Sequence, residues 1–317
     1  MSTKVQTMST SVSYLNSGSS TYSNPPPEYE TEAIELSRIS PVSSSTNSLP
    51  EYTALYNNNN NNNNITSTFV SEVFYPTKQL QIQAPGFPLI SLPLPPQPDP
   101  IYIFNVRPTG DIDEAEYVSI RPARNSGSCF LARANDEVQK PLCNTTYRFG
   151  PGKPPKLRLE NGTSQNRQSE EIEISCKGVF TRSVVMRTHL GTFEWRYSSR
   201  AERRAAQTSV GEEVDCLLIL DQVMKVAVAG GKQEERRRKV GQFVRSNGFR
   251  TPGSRKCTAG NGGRLMLDLR EWLDRKDEST EMEILAVASC VSMMKKEVDR
   301  RRMHQTMAIM GGASGGP

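Results

Sequence analysis

Hydrophobic and polar positions change character near residue 100. Before it, the chain is rich in Ser, Thr, Asn and Pro. From Ile101 onward, IYIFNVRP, EYVSIRPA, CFLARA and TYRFG are short runs of β-branched and aromatic residues punctuated by Gly, Pro or Asn, a pattern that predicts short strands. KLRLE and EIEIS alternate strictly, the period of a half-buried strand. VFTRSVVMRTHLGTFEWRYSS predicts two strands about a turn at Leu190-Gly191. VDCLLILDQVMKVAVA, broken by Asp221, predicts a buried strand followed by a second strand or a short helix. GGRLMLDL predicts one more strand, with glycines at its entry.

A single strong helix comes last, over Glu281 to Arg302. Ser279-Thr280 offers a cap, Glu281 and Glu283 lie in the first turn, and Arg300, Arg301 and Arg302 lie in the last, which suits the helix dipole. ILAVASCVSMM is apolar on every side, so this half should be buried all round. KKEVDRRR is charged and should emerge into solvent.

These elements predict an α+β fold: a β-rich, barrel-like domain around a C-terminal hydrophobic helix, preceded by a disordered tail. The boundaries expected are 1–100 for the Ser/Asn/Pro-rich tail, 101–305 for the domain and 306–317 for a disordered end. The Asn57–Asn64 run has no apolar side chain to offset its ordering entropy. APGFPLISLPLPPQPDP, residues 84–100, should be extended chain at the edge of the domain.

Charge sharpens that division. The net +5 conceals a tail near −4 beside a remainder near +9. An acidic polar tail on a basic domain is a layout of interaction proteins. Met1 to Ser20 has no apolar run, and Ile284–Met294, the longest apolar stretch, is too short to span a bilayer. A cytoplasmic protein is expected, with peripheral membrane association as the alternative. The six cysteines form no CxxC or Cys/His cluster and read as reduced thiols.

The sharpest functional signal lies in the tail. Pro26-Pro27-Glu28-Tyr29 is a PPxY motif, and Leu49-Pro50-Glu51-Tyr52 is an LPxY variant of it. WW domains take such prolines in an aromatic groove and the tyrosine in a pocket, and an extended polyproline segment loses little entropy on docking. The predicted partner-binding residues are therefore Pro26, Pro27, Tyr29, Leu49, Pro50 and Tyr52. Two sites on one flexible chain can engage a tandem WW protein with added avidity. The pairing resembles adaptors that recruit HECT-type ubiquitin ligases. Arg236, Arg237, Arg238 and Lys239, expected in a loop, form a weaker candidate site for phosphoinositides or another anionic lipid. Glu234 and Glu235 beside them argue for an ordinary solvated loop instead. Nucleic acid is not favoured, since neither zinc spacing nor a basic stripe interleaved with aromatics is present.

Catalysis finds little support. His189 and His304 stand outside any nucleophile signature, and no P-loop or HExxH occurs. TAGNGGR, residues 258–264, precedes a strand and reads as a turn rather than a phosphate cradle. No enzyme, cofactor or metal is expected, and the oligomeric state is not legible.

A β-rich domain closing with GGRLMLDL (262–269) and then MEILAVASCVSMMKKEVDRRR (282–302) resembles the tubby C-terminal-like superfamily. GTFEWRYSS (191–199) is similar to the middle of uncharacterised fungal members, and the poly-Asn and proline-rich tail fits a fungal protein. The resemblance implies a twelve-stranded barrel wrapped around a central helix. It implies no ligand residues here, because fold does not carry function with it.

Overall fold

The computed structural model describes residues 73–88, 100–121, 127–148, 153–160, 170–178, 181–228 and 232–313. All belong to one compact unit, Thr66–Pro317. Both WW-type motifs, the Asn57–Asn64 run and the proline-dense stretch from residue 89 to 99 lie outside the described residues.

Thirteen strands form one antiparallel sheet that curls into a nearly closed barrel. β1 (Lys78–Gln83), β2 (Ile101–Val106), β3 (Ile112–Ile120), β4 (Cys129–Arg133), β5 (Pro141–Thr146), β6 (Lys156–Leu159) and β7 (Glu171–Glu173) each pair with the next. β8 (Ser175–Cys176), β9 (Val184–Thr188), β10 (Gly191–Tyr197), β11 (Val214–Val228), β12 (Lys232–Ser246) and β13 (Gly263–Leu267) do the same. The two runs are joined by β1 against β13, with Leu80 opposite Leu265. The open seam falls between β7 and β8, which are separated by Ile174 alone; β7 packs beside β9 there.

Period-2 alternation fills the interior. Leu80, Ile82, Ile103, Tyr117, Leu131, Leu157, Ile172, Met186, Phe193, Trp195, Leu218, Leu220, Phe243 and Leu265 all point into one core. Through that core runs α2 (Lys276–Ala313), entered by a short 3-10 turn at Arg270–Trp272. Every residue from Ile284 to Met294 is buried, so the all-round apolar segment is the plug of the barrel. Plug and wall also meet through buried polar groups. Trp195 Nε1 donates to Ser289 Oγ at 2.9 Å, and Tyr117 Oη donates to Glu283 at 2.9 Å. A Trp placed in a core needs such a partner for its N–H.

Several expectations are corrected. Lys78–Gln83, counted with the tail, is a wall strand between β2 and β13. Alternating Leu80 and Ile82 face the core, and removing them would open the sheet. VDCLLILDQVMKVAV is one strand; Asp221 marks a bulge, not a break, because Arg196 Nε donates to it at 2.6 Å. A helix not foreseen in the sequence, α1 (Arg200–Val210), carries Arg200, Arg203 and Arg204 and opens on a capping box of Ser199 with Glu202. α1 covers a second apolar cluster on the outer face, made by Ala206, Val214, Leu217, Ile219, Val244 and Met266. α2 continues past residue 305 to Ala313.

The glycines of TAGNGGR serve close packing. Gly260 has φ +67, and a Cβ there would meet Val298 Cγ2 at 2.5 Å. A Cβ on Gly262 would meet Ile82 O at 2.1 Å. This turn threads between β1 and α2, which only a bare backbone allows.

Candidate functional site

Arg236, Arg237, Arg238 and Lys239 sit on β12, not in a loop. Their strand pairs with the outer half of β11, placing Arg237 opposite Val223 and Lys239 opposite Asp221. Arg237 reaches Glu194 at 3.1 Å and Glu235 at 2.7 Å, and Arg238 reaches Glu271 at 2.5 Å. Lys239 donates to Gln242 and lies 4.5 Å over the Phe74 ring. Burial pulls the Lys239 ammonium below its usual range. Arg196 extends the network by bridging Asp221 to Glu202 of α1. Its guanidinium holds the Glu202 carboxyl down at about 2, while burial pushes Asp221 up. The arginines and lysine foreseen as a lipid site are thus largely engaged by the barrel's own acceptors. Their neighbours Glu194, Asp221 and Glu271 are not sequence neighbours, so this pairing left no local signal.

A second polar cluster lies where α2 leaves the barrel. KKEVDRRR was expected in solvent, yet Lys295 to Arg302 are half-buried, because polar groups of the wall receive them. Glu297 accepts from Arg245 at 2.7 Å and from Tyr197 Oη at 2.7 Å. Arg300 donates to the same Tyr197 oxygen at 2.8 Å. Lys295 Nζ is buried with no hydrogen-bond partner, 4.5 Å over the Tyr147 ring, and burial lowers its pKa to about 8. Nearby, a cleft of about 290 Å³ is lined by Arg182, Ser183, Tyr197, Ser198, Arg203, Asp215, Cys216 and Leu217. This polar cluster at the helix exit escaped sequence reading, apart from the run of arginines that ends the helix.

His189 occupies the β9–β10 turn instead of a strand. Its ring nitrogens lie 2.6 Å from Glu170 and 2.9 Å from Glu281, an arrangement that ties the turn to the start of α2. Among the described residues, no group of His, Cys, Asp and Glu could hold a metal ion, and all six cysteines are free. Cys143 is buried, which pushes its thiol up to about 12 and makes it a poor nucleophile. No helix among the described residues is long and apolar enough to cross a membrane.

No family model, curated protein or solved structure matches this chain.

Proposed function

We propose that the protein is a non-enzymatic adaptor that recruits WW-domain proteins, of the class found in HECT-type ubiquitin ligases, through Pro26-Pro27-Glu28-Tyr29 and Leu49-Pro50-Glu51-Tyr52. The carrying observation is the recurrence of one proline–tyrosine pattern twice within an acidic, polar tail. The folded unit supports the reading as a scaffold. Side chains of α2 fill its interior, and Trp195 pairs with Ser289 inside it. The barrel around a C-terminal helix also supports a proposed kinship with the tubby-like superfamily, with thirteen strands here where that group has twelve. Anionic-lipid binding through Arg236, Arg237, Arg238 and Lys239 has less support, given the acceptors those side chains already face.

Titration of an isolated WW domain with the full chain tests the proposal. Tyr29→Ala should weaken binding by about tenfold or more, since the tyrosine fills a dedicated pocket. Unchanged affinity would remove the adaptor reading.

A further inference from the structure

β11 and β12 run on as a two-stranded ribbon after their neighbours in the sheet stop. β10 pairs with β11 only as far as Gln222, and β13 pairs with β12 only from Gly241. From Val223 to Val228, β12 is the one strand paired with β11 among the described residues, with Val223 opposite Arg237 and Val228 opposite Lys232. Six residues of strand span about 20 Å. Along that length every second residue of β11 turns its N–H and C=O to an open edge.

The two edges of this ribbon are built differently. On β12, Lys232, Glu234, Glu235, Arg236, Arg237 and Arg238 are charged, a guard against edge-to-edge pairing. On β11, Val223-Met-Lys-Val-Ala-Val228 holds one charge, no Pro and no Gly, and its register against β12 is unbroken. Met224, Lys225 and Ala227 are exposed, Met224 at 40%. An aliphatic, β-branched strand with an open edge is a template for another strand. The seam of the barrel is a poorer one, since β7 and β8 hold only three and two residues.

We propose that this edge of β11 pairs with the same edge of a second copy, antiparallel and about a two-fold axis at Val226. Self-complementarity decides the occupant. With Val226 opposite its own copy, Met224 stands opposite Val228 of the second copy, and Lys225 stands opposite Ala227. The two-fold keeps each side chain on its own face, so Met224, Val226 and Val228 of both copies form one aliphatic strip. Val223 and Gln222 meet Ala229 and Gly230, small uncharged residues that leave room at the base of the ribbon. Lys225 already stands opposite Glu235 of β12, so the edge asks no acid of its partner. A strand of another protein would gain the same backbone bonds, but no unmatched charge on this edge selects one. The inference is independent of the tail motifs. Six paired residues bury less than a standard interface, so the dimer should be weak, with a Kd on the order of micromolar or above.

Sedimentation velocity of the full chain, from about 1 to 100 μM, tests the inference. A monomer–dimer shift is expected, and added salt should not weaken it, because both copies carry a net +5. Val226→Lys puts two ammonium groups on the axis and should raise Kd at least about tenfold. Val226 is half-buried opposite Glu234, so the thermal midpoint of this variant should stay at the wild-type value. Val226→Cys should form a disulfide between copies under mild oxidation that the wild-type chain does not form, since directly opposite positions lie within reach. Lys225→Cys should cross-link far less, because its copies lie diagonally about 7–8 Å apart. A wild-type monomer throughout would overturn the proposal and leave the edge to a strand of another protein. So would a dimer that Val226→Lys leaves intact, or a cross-link no stronger for Val226→Cys than for Lys225→Cys.

Discussion

Glu297 holds three groups at once. Its carboxylate receives Arg245, the Tyr197 hydroxyl and the Gly260 amide, the last at 3.3 Å. Arg245 is only 5% exposed, so removal of its counter-charge leaves an ion without compensation. Glu297→Ala should cost about 3–5 kcal/mol in urea unfolding; a loss below 1 kcal/mol would show the pair to be dispensable. Lys295 makes the opposite prediction. Its folded pKa of about 8 lies below the ordinary lysine value of 10.5, so the unfolded chain binds the extra proton between those values. Stability therefore rises as pH climbs through that window, and the burden of the buried ammonium is fully present below it. Lys295→Met should stabilise the protein at pH 7 by on the order of 1 kcal/mol, with the advantage shrinking toward pH 10.5. Melts across pH 7 to 10.5 check the trend. None of these pairings was legible in the sequence, because each joins residues from elements far apart in the chain. The glycines of TAGNGGR were legible as a turn; their need to pass between β1 and α2 was not.

Elements with a clear period were readable, and those without one were not. β6 and β7 follow from strict alternation, β9, β10 and β13 from strand-like runs beside turn residues, and the buried half of α2 from its unbroken apolar run. α1 was missed because only Ala206 of its residues is buried, leaving no apolar stripe; the signal available was its capping pattern, Ser199 followed three residues later by Glu202. β1 was missed because KQLQIQ is short and lies just ahead of the proline-dense stretch. Its place in the wall leads to a truncation test. A chain starting at residue 68 should remain folded, whereas one starting at residue 101 should lose cooperative unfolding, since β2 and β13 would become open edges. A folded product from the shorter chain would contradict the wall position of β1. The plug is testable in the same way. Ala288→Arg and Val291→Asp each place an ion among residues that are 4% and 5% exposed, and should leave the domain insoluble or unfolded. Normal folding of either variant would mean that α2 is not the core.

At the scale of the whole molecule, a filled barrel is distinct from the segments proposed to meet partners. The two tyrosines stand 23 positions apart, a coil of ~25 Å. That span suits adjacent WW domains, and linkage should make the two sites act together. The most direct measurement is a double-mutant cycle: affinity of a tandem WW protein for wild type, Tyr29→Ala, Tyr52→Ala and the double variant. The proposed adaptor should show a larger loss for Tyr29→Ala than for Tyr52→Ala, because the LPxY variant puts leucine where the other motif has a proline. The double variant should abolish recruitment, with a loss exceeding the sum of the singles. Four equal affinities would contradict the proposal that this chain works by recruiting WW-domain proteins.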